Sequence, residues 1–228
     1  MLQQTQVSRV LPKYEEFLSR FPTLETLAAS PFADVLALWQ GLGHNARAVR
    51  LQRCAQATTA TVAPGHARLP ADLAGLRRLP GVGPYTARAV LIFACNAHLA
   101  AVDANVRRVL THELGLPHDL PARSLQAVAD AALPPGRSRD WHNALMDYGA
   151  LVLTSRATGI APSTRQGPFQ GSRRMYRARV VRLLLERDRT LGELARFLGL
   201  PAGELAAIAA DLERDGLAQR SGDRLTLP

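Results

Sequence analysis

From Leu2 to about Leu153 apolar residues return at intervals of three and four with no β-branched alternation, a period that belongs to helices. Val10, Tyr14, Phe17 and Leu18 make one such face, and Val35, Leu36, Leu38 and Trp39 another. Between the faces stand "RFPT", "ASPF", "GLGHN", "APGHARLP", "LPGVGP" and "LPPGRSRD", where Pro and Gly stop helices and permit unusual dihedrals. The expected fold class is mainly α.

The period lapses between Thr154 and Arg174, in "TSRATGIAPSTRQGPFQGSRR", which reads as a basic linker. After it come three helical stretches, "MYRARVVRLLLERD", "TLGELARFLGL" and "PAGELAAIAADLERDG". Two short strands then flank Ser221-Gly222-Asp223. Thr190 is placed to cap the second of these helices and Pro201 to open the third. That order resembles a winged helix-turn-helix. The expected organisation is a helical domain over 1–154, a linker over 155–174 and a winged-helix-like module over 175–228. Such modules often bind DNA, but the third helix is apolar and acidic, with Arg214 its only base, so a protein contact stands equally open.

Charge narrows the partners. The sequence carries 28 basic and 19 acidic residues, a net charge of +9 and a pI near 10.8, a balance suited to polyanions and to nucleic acid first. Lys13 is the only lysine, and the Arg and Ala richness also fits composition bias alone. The two cysteines, Cys54 and Cys95, form no C-x-x-C pair, which argues against a disulfide framework or a zinc site. No apolar run approaches the roughly 20 residues needed to span a bilayer, so a cytoplasmic protein without membrane contact is expected.

The stretch with the most chemical content is "LRRLPGVGPYTARAVLIFACNAHLAAVDANVRRVL", residues 76–110. Gly81 and Gly83 permit a tight turn that feeds a helix N-terminus, an arrangement whose outward N–H groups suit a phosphodiester. Asp103 in "VDAN" precedes a helix and reads locally as an N-cap.

The string Leu-Pro-Gly-Val-Gly-x-Tyr-Thr-Ala, with "VDANVRRVL", "MLQQTQV", "RFPTLETLA", "LWQGLGHNARA" and "NALMDYGALV" in order, resembles the endonuclease III and MutY superfamily of helix-hairpin-helix DNA glycosylases, nearest the MutY-type adenine glycosylases, over residues 1–154. The resemblance implies that Asp103 is the catalytic carboxylate, stabilising the sugar cation left when an N-glycosidic bond breaks. It places Tyr85 where bifunctional members carry the lysine that forms a Schiff base. A Schiff base needs an amine, so a monofunctional enzyme without lyase activity is expected. Gln3 and Gln4 take the role of entering the duplex as the target base flips out. His44 and Asn45 stand where the family commonly has two aromatic residues. The hairpin residues Leu79, Gly81, Val82, Gly83 and Thr86, with Asn105 and Arg107, complete the expected DNA contacts. Arg47, Arg77, Arg78, Arg88 and Arg108 are further expected phosphate partners.

Three departures shape the expectation. The family usually has four cysteines after "MDYGALV"; here that stretch has none, so no iron-sulfur cluster and no other cofactor is expected. Arg165, Arg173 and Arg174 could replace the backbone-binding charge of the cluster loop. The C-terminal module is too short for the domain that recognises oxidised guanine. In the resembled proteins a glutamate that protonates the departing base lies just upstream of "MLQQTQ", and Glu15 and Glu16, roughly 15 to 20 Å along the same helix, cannot replace it. The expectation is a start assigned at an internal methionine of a longer protein.

The resemblance thus implies a DNA glycosylase of base excision repair, working as a monomer on double-stranded DNA with a mispaired or damaged base. Adenine opposite guanine or oxidised guanine is the first substrate expected. A uracil or thymine mismatch glycosylase is the rival activity, and a catalytically silent DNA-structure binder the rival class.

Overall fold

A computed structural model describes residues 1–3, 5–161 and 167–228, so Gln4 and Arg165 lie outside the described residues. The described chain falls into two compact units: Met1–Arg68 with Gly167–Pro228, and Leu69–Gln166. This grouping differs from the division at 154 and 174 read from sequence. Its physical cause is a shared apolar core.

The first unit opens with α1 (Val7–Arg20), α2 (Leu24–Ala29), α3 (Phe32–Trp39) and α4 (Ala46–Thr59). Val10 and Phe17 of α1 are buried, and the Phe17 ring meets Phe21 and Trp39 edge-on at 4.9 and 6.3 Å. A second row on α1, Val7, Leu11, Tyr14 and Leu18, is exposed. Thr23 and Thr26 form a capping box that starts α2.

The C-terminal part of the same unit runs α11 (Arg173–Glu186), β1 (Arg189–Thr190), α12 (Leu191–Leu198), α13 (Ala202–Arg214), β2 (Gln219–Ser221) and β3 (Arg224–Thr226). Its sheet has the order β1-β3-β2, all antiparallel. This is the winged-helix arrangement expected, with one strand the sequence does not announce: β1 has only two residues, too few for any alternation. Thr190 caps α12 through a box with Glu193, as its sequence suggests. Pro201 occupies the N-cap of α13 rather than its first turn. Helix α11 already begins at Arg173, capped by Ser172, inside the segment read as linker. Also in that segment is the one-turn α10 (Ser155–Thr158).

Val180, Val181, Leu184, Leu194, Leu205, Ile208, Leu212 and Leu225 fill the module's interior, and Leu36 of α3 and Val49 of α4 belong to the same cluster. Phe32 packs against this cluster and against the one holding Val10, Phe17 and Trp39. The module's core is therefore completed by residues of α3 and α4.

The outward positions of α13 are Ala202, Gly203, Glu204, Ala207, Ala210 and Arg214. Arg214 pairs with Asp211 at 2.8 Å, and Arg173 pairs with the same carboxylate at 2.6 Å. The face that would enter a groove thus offers small side chains and an acid, while Arg220 and Arg224 stand exposed on the wing.

The second unit contains α5 (Leu73–Arg78), α6 (Pro84–Cys95), α7 (Ala104–Glu113), α8 (Ala122–Ala131), α9 (Ser138–Leu151) and α10. Asp72 caps α5 through the Gly75 amide, and Leu76, Ala87 and Leu91 bury the contact between α5 and α6. Val106, Val109 and Leu110 of α7 pack with Leu125, Ala129, Leu145 and Leu153. Among the described residues no helix is long and apolar enough to cross a membrane.

Candidate active site

The turn between α5 and α6 is closed by the Val82 amide on the Leu79 carbonyl at 3.2 Å. Gly81 has φ +77, a dihedral that a side chain resists, whereas Gly83 is an extended N-cap at φ −83. A Cβ at Gly83 would meet nothing within 4 Å. Nothing in the chain itself requires glycine there. Pro84 at the first helical position removes one N–H. Leu79, Val82 and Thr86 are partly buried around this turn, and Arg77 and Arg78 are exposed beside it.

Asp103 is the N-cap of α7, its Oδ1 accepting from the Val106 amide at 2.7 Å. Its Oδ2 faces the Asn105 side-chain amide at 3.4 Å. Cap and catalytic readings are compatible: one oxygen is spent on the helix and the other stays available. Tyr85, on the first turn of α6, is near enough to feel this carboxylate. Burial first, and the Asp103 charge second, push its phenol above the usual tyrosine range. Tyr85 therefore keeps its O–H within electrostatic reach of the Asp103 carboxylate.

Behind Asp103 lies a support that sequence assigned to DNA. Arg108, 8% exposed, donates to Asn105 Oδ1 at 2.7 Å and to the Gly149 and Leu153 carbonyls. A guanidinium so placed cannot serve a phosphate, which corrects the expectation for Arg108. Gly149 is what allows α9 to approach: a Cβ there would sit 2.8 Å from Asn105 Cβ and 3.1 Å from its backbone. Gly149→Ala is expected to displace Asn105, slow any reaction that uses Asp103 and cost about 1–3 kcal/mol by overpacking. Thermal unfolding and single-turnover rates on the same preparation check both effects.

Arg88 and Arg107 also bond groups of the chain itself. Arg88 donates to Asp130 at 3.0 Å and to the Ala100 carbonyl at 2.9 Å, and Arg107 to the His118 carbonyl at 2.5 Å. A sequence shows that an arginine is present but not which tertiary carbonyl faces it.

In the first unit the expected contacts gather around Arg47. Its guanidinium donates to the carbonyls of Met1, Gln3, Leu42 and Gly43 at 2.7–3.0 Å and to the Thr5 hydroxyl at 3.0 Å, while stacking 5.4 Å from the Trp39 ring centroid. It ties the "QQT" segment to the "GLGHN" turn and is not a free phosphate partner. Lysine cannot reproduce this fork. Arg47→Lys is expected to cost at least about 1.5 kcal/mol, read as a fall in Tm of about 3–6 °C.

His44 sits in that turn at φ +48, one of two described non-glycine residues in the left-handed region. Such strain gathers at functional turns. Desolvation, then the Arg47 and Arg174 charges, hold its imidazole below the usual histidine range, so it is neutral at pH 7. Asn45 follows as the partly buried residue before α4. Gln3, His44 and Asn45 thus lie on one unit, and Leu79 to Thr86, Asp103, Asn105 and Arg107 on the other.

A four-helix run through a glycine hairpin to a capped aspartate is the arrangement of a base-excision fold. The chain belongs to the HhH-GPD superfamily of base excision DNA repair proteins, whose family model matches residues 1–135. It is similar to the adenine DNA glycosylase of Mycolicibacterium smegmatis, 44% identical over 167 residues, which cover 71% of this chain and 56% of that protein. The chain spans about half the length of the curated relatives it matches. Among solved structures, a thermostable thymine-DNA glycosylase aligns with a TM-score of 0.63 at 27% identity over 69% of this chain and 73% of that one. A trapped endonuclease III–DNA covalent intermediate shares the fold, with a TM-score of 0.61 at 19% identity over 70% and 72% of the two chains.

Proposed function

We propose that this protein is a monofunctional DNA glycosylase that hydrolyses the N-glycosidic bond of adenine mispaired with guanine or oxidised guanine. The observation that carries the reading is Asp103, with one carboxylate oxygen committed to the α7 cap and the other aimed at Asn105 beside a protonated Tyr85. As the base leaves, the sugar gains positive charge, and a fixed carboxylate stabilises it without reorganising at the moment of reaction. The similarity to adenine DNA glycosylases supports adenine as the base. The glycine turn that opens α6 supplies a grip on backbone phosphate that reads no sequence.

The reading without a lyase step rests on the side-chain amines: Lys13, the only lysine, pairs with Glu16 at 2.9 Å on α1. Tyr85 offers an O–H and no nitrogen. The product is then an abasic site with the strand intact.

The residues present do not fit a four-thiolate iron-sulfur cluster. The sequence has two cysteines, Cys54 half-buried on α4 with its thiol pushed up by burial, and Cys95 exposed at the end of α6. The chain leaving α9 is held instead by Arg108 on two carbonyls and by the Thr154 cap of α10.

The test incubates the 228-residue protein with labelled duplexes containing adenine opposite guanine, adenine opposite oxidised guanine, or uracil or thymine opposite guanine. Cleavage that requires alkali and is confined to adenine strands supports the proposal. Excision of thymine alone would replace adenine by the activity named for the 27%-identical structural neighbour, and excision of uracil alone would overturn adenine equally. Binding without excision that persists when the glutamate-bearing segment expected upstream of Met1 is supplied would leave a DNA-structure binder.

A further inference from the structure

His142 is 1% exposed and lies on α9 between two backbone groups. Its Nδ1 is 2.6 Å from the Ser138 carbonyl oxygen, one turn earlier on the same helix, and its Nε2 is 2.9 Å from the Ala101 amide nitrogen. An amide N–H can only donate, so Nε2 accepts; a carbonyl can only accept, so Nδ1 carries the proton. Only one neutral tautomer makes both bonds.

The Ser138 bond alone would describe a side chain satisfied within its own helix. The Ala101 bond does more, because it reaches 41 residues back along the chain, to a point two residues before Asp103. Residues 99–102 belong to no helix or strand, so no backbone ladder fixes them. Side chains do so instead. The Ala100 amide donates to Asp130 Oδ1 at 3.0 Å, and the Ala100 carbonyl accepts from Arg88 at 2.9 Å and from Gln126 at 3.0 Å. Arg88 and Asp130 are partly open to water. His142 is the fully buried member of the set, and Phe93 of α6 stands edge-on to its ring at 6.5 Å.

We propose that His142 is a positioning residue for base excision, setting the place of the Asp103 carboxylate by holding the Ala101 amide. The proposal rests on the reading of Asp103 as the catalytic carboxylate. The α7 cap fixes where Asp103 Oδ1 points, and His142 fixes where the chain that delivers Asp103 enters the cap. Releasing Ala101 lets the carboxylate drift while leaving α7 and α9 formed.

Two amide replacements separate this role from simple core filling. Glutamine places its carbonyl oxygen near the position of Nε2 and can still accept from Ala101. Asparagine places its amide near Nδ1, can still donate to Ser138, and falls short of Ala101. The measurements are Tm, deuterium exchange of the Ala101 amide, duplex affinity, and the single-turnover excision rate with enzyme in excess on the duplex that the wild-type protein cleaves best. His142→Asn is expected to lose Ala101 protection and to slow excision by about 10²-fold with affinity within about twofold of wild type, whereas His142→Gln keeps protection and recovers the rate to within about fivefold. Both variants are expected to lower Tm alike.

Equal slowing of the two variants, or loss of Ala101 protection in His142→Asn with an unchanged rate, overturns the positioning role alone. A wild-type protein that excises no base even when the glutamate-bearing segment expected upstream of Met1 is supplied overturns the reading of Asp103, and this proposal with it.

Discussion

Asp103→Asn is expected to lower the single-turnover excision rate by about 10²–10⁴-fold while leaving duplex affinity and Tm almost unchanged. Asparagine is as good an N-cap as aspartate, so the Val106 amide keeps its partner at the start of α7 and the helix does not fray. What is lost is the negative charge facing the developing sugar cation. This separates the two jobs that Asp103 holds at once. Quench-flow excision and fluorescence anisotropy on one preparation decide the matter. A variant that loses binding in step with turnover would count against the assignment, and one that keeps its turnover would move catalysis to another group.

The second large effect concerns the fused core. Ile208, fully buried on α13, shares a cluster with Leu36 and Val49 of α3 and α4. Ile208→Ala is expected to cost about 2–5 kcal/mol, and to lower the unfolding midpoint reported by Trp39 as well as that of its own module. Trp39 is 2% exposed and belongs to the neighbouring cluster joined through Phe32. In a Trp141→Phe background its fluorescence reports the first unit alone. A protein ending at residue 161 is expected to leave α1 to α4 without a cooperative transition, because Leu36 and Val49 would face water. A Trp39 transition untouched by Ile208→Ala would show that the module is an independent body.

The helices were legible because each buries one face and the apolar period shows it; the winged-helix order and the Thr190 cap were legible for the same local reason. Strand β1 was not, since two residues carry no alternation. Nor was the joining of the C-terminal module to α3 and α4. Apolar spacing states that Leu36 is buried without stating against what, and its partners lie more than a hundred residues away. In the candidate site, the N-cap place of Asp103 and the 81–83 turn were legible from their neighbours, whereas the roles proposed for Asp103 and Tyr85 came from the resemblance. The arginines could not be sorted. Arg47, Arg88, Arg107 and Arg108 look like Arg77 and Arg78 in sequence, yet the first four donate to carbonyls of the chain itself and the last two are exposed. His142 gave no signal, because its work is done on backbone groups that a sequence does not distinguish.

The first unit is assembled from both ends of the chain, residues 1–68 and 167–228, with the second unit between them. During synthesis the early helices emerge well before the residues that complete their core. At about 5–20 residues per second the intervening stretch takes roughly 5–20 s to make. Over that interval Leu36 and Val49 have no partner, while Leu69–Gln166 can already close around its own helices. The order of birth is thus the reverse of the order of completion, and the nascent chain spends its most exposed seconds waiting for residues 167–228.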